Sequence, residues 1–290
     1  KEKQLTVLKE PEAKSTSAAL ALAALQIKLN YNDPNAIMIS THADQVVTDQ
    51  DAFINTVNEA INVAKTGRLC LVGISPTYPA TNFGYIKRGE KLHNSNSYRV
   101  DSFKEKPQED VAKEYFSEKK YYWNSGIFVW KVDTLIKELE EFSKETFLPL
   151  WHLYEKAKSQ NLKSLNELPW EDITKAYKSL PKVSIDRAVL EKSQNIVVIE
   201  ANFLWDDVGS WTSLPSLLGN DKNGNMLQGD VMTIDTQSSI VSSDGPFIAT
   251  LGLKDLIVVA DKGCILVCAK DRAQDIKKIV TKLKEKNRHD

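Results

Sequence analysis

Two short, wholly apolar runs separated by one amphipathic segment constrain this chain more than any other feature. Ala36 to Ser40 (AIMIS) and Leu69 to Ile74 (LCLVGI) are bounded by polar residues, the pattern of strands buried on both faces. Between them, Asp49 to Lys65 carries Phe53, Ile54, Val57, Ile61 and Ala64 at helical spacing. Strand, helix, strand in this order is a βαβ unit and predicts a parallel sheet covered by helices. Ser17 to Leu29, rich in alanine and leucine and preceded by Ser15 and Thr16, predicts an N-capped helix that Asn32-Asp33-Pro34 ends. Phe83 to Phe103 turns β-like and more polar. A helix is expected after Pro107 through Phe116, a strand from Tyr122 to Trp130, then helices from Val132 to Glu141 and on to about Lys158. Asn161 to Pro169 reads as a loop, Val183 to Glu191 as a helix, and Ile196 to Glu200 as the last core strand.

After Trp211 the texture changes. Asn220 to Asn225 is turn-rich, and the runs VMTID, SSIVSS, FIATLGL, LIVVA and CILVCA follow at nearly regular spacing. They predict an all-β appendage or small β-solenoid with a boundary near residue 220. Asp271 to Lys286 closes the chain as a basic amphipathic helix, with Ile276, Ile279, Val280 and Leu283 on one stripe. Docking on the end of the solenoid is the expected use of that stripe, and membrane binding the alternative.

Composition excludes several classes. Lysine and arginine number 38 against 39 acidic residues, so no cation excess exists to neutralise many phosphates of a nucleic acid. No apolar run reaches the ~18 residues of a membrane span, and no basic-then-apolar leader opens the chain, so the cytoplasm is the default expectation. Three cysteines make no disulfide framework. Neither G-x-G-x-x-G nor a P-loop occurs among the 12 glycines, which argues against a dinucleotide fold or a P-loop enzyme. The four histidines, His42, His93, His152 and His289, are scattered, and Cys264 with Cys268 supplies only two soft ligands where structural zinc takes about four.

Four segments place polar groups at the ends or interruptions of buried strands. Asp44 lies just past the first strand, where open α/β sheets bind ligands; the plain alternative is a turn aspartate or helix cap. In Phe103-Lys104-Glu105-Lys106-Pro107, Glu105 can accept hydroxyl hydrogen bonds and Lys106 can meet a phosphate as a point charge, although Glu-Lys pairs are also common on surfaces. In Trp123-Asn124-Ser125-Gly126, Asn124 offers two donors and an acceptor suited to a sugar or amide, and Gly126 permits close approach or marks a bulge. In Trp205-Asp206-Asp207-Val208-Gly209-Ser210-Trp211, two acids at a turn suit Mg²⁺, while Ser210 could instead cap the next helix.

Taken in order, these segments resemble the bacterial mannose-1-phosphate guanylyltransferases of the sugar-nucleotide pyrophosphorylase superfamily. The resemblance rests on His42-Ala43-Asp44-Gln45 against P-A-D-H, Asn82 to Ile86 against G-Y-G-Y-I, Phe103 to Pro107 against F-x-E-K-P, and Trp123 to Phe128 against W-N-S-G-x-F. Ser184-Ile185-Asp186 matches S-I-D, Trp205 to Trp211 matches W-x-D-x-G-S-W, and Glu10 to Thr16 is similar to E-P-x-x-R-N-T. Lys14 stands where the family has arginine, His42 where it has proline, and Gln45 where it has histidine.

The resemblance implies an α/β fold: a Rossmann-like nucleotidyltransferase sheet flanked by helices over residues 1–219, then a β-helix-like domain with a terminal helix over 220–290. It implies formation of GDP-mannose and pyrophosphate from GTP and α-D-mannose 1-phosphate. Asp44 and Asp207 would hold Mg²⁺, and Asp44, Lys106 and Asp207 would be catalytic. Glu10, Pro11, Gly84, Tyr85, Glu105, Asn124, Ser125, Asp186 and Gly209 would bind substrate. A homodimer is the association expected, with no nucleic-acid or membrane partner. Two other readings remain open: a non-catalytic sugar-nucleotide-binding homologue, and a transferase for another NTP and sugar 1-phosphate. The family's glycine-rich G-x-G-T-R-L-x-P-x-S loop and its following lysine, which hold the triphosphate, are not among these 290 residues. The expectation is that residues 1–290 alone are aggregation-prone and do not make GDP-mannose at an enzyme-like rate. The expectation is that the likeness is to the short, single-activity form, without a phosphomannose-isomerase domain.

Overall fold

A computed structural model describes residues 5–92 and 96–286; His93 and His289 lie outside the described residues. The chain forms two compact units, Lys1–Ala43 with Val47–Trp205 and Asp44–Val46 with Asp206–Asp290. It enters the second unit at Asp206, ahead of the turn-rich stretch at 220–225.

The first stretch of chain runs α1 (Thr16–Tyr31), β1 (Ile37–Ser40), β2 (Val46–Val47), α2 (Gln50–Ala64), β3 (Leu69–Ile74), β4 (Tyr85–Lys91) and β5 (Ser97–Lys104). It continues with α3 (Glu109–Glu118), β6 (Tyr121–Lys131), α4 (Val132–Phe142), α5 (Lys144–Ser159), α6 (Trp170–Ser179), β7 (Ile196–Glu200) and the short β8 (Trp205–Asp206). Six of the strands make one sheet in the order β1-β6-β3-β7-β5-β4. The two strands of the expected βαβ unit, β1 and β3, are not neighbours. The long β6 lies between them and is antiparallel to each, while β3 and β7 form a parallel pair. The sheet is therefore mixed, whereas the local βαβ pattern pointed to a parallel one.

Every residue of β3 is buried, which is why its run is unbroken by polar side chains. Alanines let α1 pack closely: Ala18, Ala21, Leu22, Ala24 and Leu25 all enter the main core. The expected side-chain cap of α1 is absent. Ser15 occupies the N-cap position with φ 70° and makes no capping hydrogen bond, and Thr16 Oγ1 instead accepts from the Ile185 N–H at 3.0 Å. Asp49 does cap α2, accepting from Ala52 N–H at 2.9 Å.

Two stretches depart from expectation. Residues 170–179, for which the sequence predicts no element, form α6, which buries only Ile173 and Tyr177 and is otherwise too polar to show a stripe. Val183 to Glu191 is not a regular helix but contains a single π turn, Asp186–Leu190, closed by Glu191 N–H donating to the Asp186 carbonyl at 2.8 Å.

The second unit holds α7 (Leu214–Leu218), β9 (Met226–Gln228), β10 (Val231–Ile234), β11 (Ile240–Asp244), β12 (Ile248–Leu251), β13 (Leu256–Asp261), β14 (Cys264–Ala269) and α8 (Ile276–Glu285). Parallel strands β9, β11 and β13 stack in one sheet, β10 and β12 in another, and β14 closes the first antiparallel to β13. This is a short β-helix. Met226, Ile240 and Ile257 are in register and almost fully buried, forming an internal apolar ladder. A polar ladder holds the corner: Asn225 donates to the Thr236 carbonyl at 2.7 Å and accepts from Ser239 N–H at 3.0 Å. The terminal helix docks only in part. Ala273, in the 3-10 turn before α8, packs on the solenoid core, while Ile279 and Val280 of α8 remain half-exposed. Among the described residues, no helix is long and apolar enough to cross a membrane.

Candidate active site

Within the first unit, polar groups gather where β4 begins, β5 ends and β6 is interrupted. Tyr85 pairs with both Lys104 and Trp123, so Gly84, Glu105 and Asn124 fall at the same end of three adjacent strands. Asn124 N–H donates to the Gly84 carbonyl at 2.8 Å. Its side chain is fixed at both ends: Nδ2 donates to Asp186 Oδ1 at 2.9 Å, and Oδ1 accepts from Gly126 N–H at 3.1 Å. Gly126 has φ 74°, and a Cβ there would collide with the imidazole of His42. The register shift between β3 and β6 at this point is the expected bulge.

Glu105 presses against Gly84, where a Cβ would come 2.7 Å from Oε2. Its carboxyl is held above the usual range by burial, then by the charge of Asp186, with Lys106 opposing. Asp186 is likewise raised, chiefly by burial. Lys106 Nζ lies 3.3 Å from Glu105 Oε1, and the Lys106 side chain is more than half exposed. The result is a corner with a forked amide, two carboxyls short of solvation and one cation facing water. Such a set can accept hydrogen bonds from vicinal hydroxyls and hold an anionic group beside them.

Three of the residues expected to bind substrate also make structural contacts. The Tyr85 ring is fully buried, and its hydroxyl donates to the Ala80 carbonyl at 2.9 Å. Ser125 is buried, donates to the Val72 carbonyl at 2.7 Å and accepts from Ile127 N–H, so it ties down the bulge. Glu10 accepts from the Tyr177 hydroxyl on α6 at 3.2 Å, and burial raises its carboxyl. Pro11 follows it in a bend. Sequence motifs did not mark Glu191, whose Oε1 accepts from Glu105 N–H at 3.1 Å. Nor did they mark the approach of His42 to Gly126.

Within the second unit, Asp44 and the 206–209 turn form a second cluster. Asp206 Oδ1 accepts from Val208 N–H at 2.7 Å, and Asp207 Oδ1 from Gly209 N–H at 3.2 Å. Gly209 leaves room for the Asp207 carboxylate, since a Cβ would lie 2.9 Å from Oδ2. Partial burial raises the Asp207 carboxyl, and the negative charges of Asp206 and Asp44 raise it further. Among the described residues no group of three or more His, Cys, Asp or Glu side chains is arranged to hold a metal ion; Asp207 and Asp44 offer two hard carboxylates, the number Mg²⁺ takes when substrate phosphates and water supply the rest. Ser210 Oγ accepts from Thr212 N–H, so the capping role also holds. A cavity of about 390 Å³ beside this turn is lined by Val208, Trp211, Leu214, Ile276, Lys277 and Val280.

A mixed α/β sheet with this polar corner, followed along the chain by a short β-helix with an acidic turn, is the architecture of the nucleotidyl transferase family. The chain belongs to the nucleotidyl transferase family: the family's model matches residues 1–223, and a MannoseP isomerase/GMP-like beta-helix domain matches residues 229–283. Among its relatives is the mannose-1-phosphate guanylyltransferase of Escherichia coli K12, 34% identical over 287 residues, which cover 98% of this chain and 59% of that protein. The mannose-1-phosphate guanylyltransferase RfbM of Salmonella typhimurium LT2 is 36% identical over 286 residues, covering 98% and 58% respectively. The chain thus spans less than two thirds of the length of these relatives. Among solved structures, mannose-1-phosphate geranyltransferase from Thermus thermophilus superposes with a TM-score of 0.82 at 29% identity, over 96% of this chain and 77% of that one. Mannose-6-phosphate isomerase from Helicobacter pylori gives 0.59 at 28% identity, over 71% and 75%.

Proposed function

We propose that the full-length protein carries the guanylyltransferase reaction of its relatives, forming GDP-mannose and pyrophosphate from GTP and α-D-mannose 1-phosphate, and that this chain supplies its sugar-phosphate corner. One observation carries the reading: Gly84, Glu105, Asn124 and Asp186 converge beside Lys106 in a chain related over 98% of its length to mannose-1-phosphate guanylyltransferases. In the reaction, an oxygen of the sugar phosphate attacks the α-phosphorus of GTP. The new O–P bond forms as the bond to the β-phosphate oxygen breaks, and pyrophosphate leaves. Positioning and charge neutralisation supply most of the acceleration in such a transfer.

Glu105 and Asn124 accept and donate to sugar hydroxyls, the Gly84 backbone gives the ring close approach, and Asp186 holds the Asn124 amide in place. The Lys106 ammonium meets the sugar phosphate. Asp44 and Asp207 would hold Mg²⁺, which when bound offsets charge on the phosphates. Gly209 keeps the Asp207 carboxylate unobstructed. Tyr85 and Ser125 support this corner from the core, and Glu10 with Pro11 lines the segment that Thr16 ties to the Ser184–Asp186 stretch. Release of pyrophosphate from GTP and mannose 1-phosphate by the full-length protein, with other NTP and sugar 1-phosphate pairs as controls, tests the reading. GDP-mannose binding without turnover would refute it in favour of a non-catalytic homologue. A faster reaction with another pair would reassign the substrates.

A further inference from the structure

Glu191 lies outside every motif in the sequence, yet it reaches the sugar corner from 86 residues away. The backbone explains how. In an α-helix, residue i+5 sits about 140° round the axis from residue i, so a regular helix would turn Glu191 away from Asp186. The chain makes a π turn instead, and its i→i+5 hydrogen bond of 2.8 Å stacks Glu191 over Asp186. On that shared side Asp186 accepts from Asn124 Nδ2 at 2.9 Å, and Glu191 accepts from the Glu105 backbone N–H at 3.1 Å. π turns of this kind recur at functional sites.

The residue after Glu105 needs such support. Lys106 has φ 46°, a left-handed backbone on a branchless but non-glycine residue, and Pro107 follows it. Helical-type conformations before proline meet the ring Cδ. Backbone of this type persists only where its surroundings over-determine it. Buried Pro107 anchors one side of the turn, and the Glu191 carboxylate anchors the other.

We propose that Glu191 is a positioning residue of the sugar-phosphate site: the π turn carries its carboxylate to the Glu105 N–H, and that bond holds the left-handed Lys106 turn with the ammonium beside the Glu105 carboxylate. The inference rests on the use of Lys106 proposed above. On the full-length protein, Glu191→Ala is expected to raise KM for mannose 1-phosphate about tenfold while KM for GTP stays within about twofold, the tenfold being one misplaced contact. Glu191→Gln, whose amide oxygen still accepts, is expected to restore most of the loss. In a Lys106→Ala background, Glu191→Ala is expected to add little, because the group it positions is gone. Amide exchange gives a readout that needs no turnover: the Glu105 amide proton should lose protection in Glu191→Ala and keep it in Glu191→Gln. A wild type that makes no GDP-mannose would refute the proposed reaction, and the exchange measurement would then decide the Glu191 bond. Equal rises in both KM values, additivity with Lys106→Ala, or unchanged Glu105 exchange would overturn the assignment.

Discussion

Gly84→Ala separates a substrate site from ordinary core packing. A methyl on Gly84 would lie 2.7 Å from Glu105 Oε2, 3.0 Å from Phe103 Cζ and 3.4 Å from Asn124 Cβ. Comfortable contact needs about 3.5 Å, so the carboxylate must retreat by about 0.8 Å while the Phe103 ring yields a few tenths. Glu105 ends a flexible side chain and can swing aside. The stability cost therefore falls at the low end of overpacking, about 1 kcal/mol, or about 2–4 °C in Tm. The sugar corner loses more, because Glu105 leaves the position in which it meets Lys106 at 3.3 Å. Losing one hydrogen bond between a charged carboxylate and a sugar hydroxyl costs about 1.5–3 kcal/mol, a drop of about 10- to 150-fold in kcat/KM for mannose 1-phosphate. Gly73→Ala is the control. Its methyl would lie 2.7 Å from both Tyr122 Cβ and Val198 Cγ2, atoms of the buried sheet that cannot swing. It should cost about 2–3 kcal/mol of stability, more than Gly84→Ala, although it leaves Glu105 untouched. Thermal unfolding followed by circular dichroism, with initial rates of pyrophosphate release at varied mannose 1-phosphate, measures both quantities. A Gly84→Ala enzyme that keeps kcat/KM within about twofold of wild type would refute the placement of the sugar against Glu105.

Three further outcomes are expected. Asp207→Asn should reduce turnover by orders of magnitude, abolish calorimetric Mg²⁺ binding and leave Tm unchanged or higher, since it removes a charge that burial, Asp206 and Asp44 oppose; more than about a third of wild-type turnover at saturating Mg²⁺ would sink the metal assignment. Lys106→Ala should raise KM for mannose 1-phosphate more than KM for GTP, and equal effects would mark the Glu-Lys-Pro turn as purely structural. Asp186 has a carboxyl raised above its ordinary 3.8, chiefly by burial, so its charge opposes folding above that raised value and the penalty vanishes as pH falls below 3.8. Asp186→Asn retains an acceptor for Asn124, so it should have a higher Tm than wild type at pH 7, with the advantage shrinking towards about pH 4; an advantage independent of pH, or a less stable variant at pH 7, would contradict this.

Elements buried on both faces were legible in the sequence. β3 spans the predicted Leu69–Ile74, and β7 the predicted Ile196–Glu200, because a strand covered on two sides is almost wholly apolar, the polar Glu200 standing at the half-buried end of β7. The β-helix was legible for a related reason: each coil repeats the same inward positions, seen in the ladder of Met226, Ile240 and Ile257. The motif residues Glu105, Lys106, Asn124 and Asp207 stood out because polar side chains at strand ends and turns break an otherwise apolar pattern.

Periodicity reports that an element is buried but not what lies beside it. Nothing in AIMIS or LCLVGI says that β6 comes between them, since pairing is chosen by segments some 55 to 90 positions apart in the chain. α6 escaped notice because two buried side chains, Ile173 and Tyr177, make no stripe. The apolar content of Val183 to Glu191 suits a helix, and only packing in three dimensions selects a π turn there. Tertiary structure alone turned Tyr85 and Ser125 inward and brought Glu191 to Glu105. Hydrogen bonds between distant segments leave no local signature, because an exposed glutamate looks the same in sequence whether its carboxylate meets water or a backbone N–H.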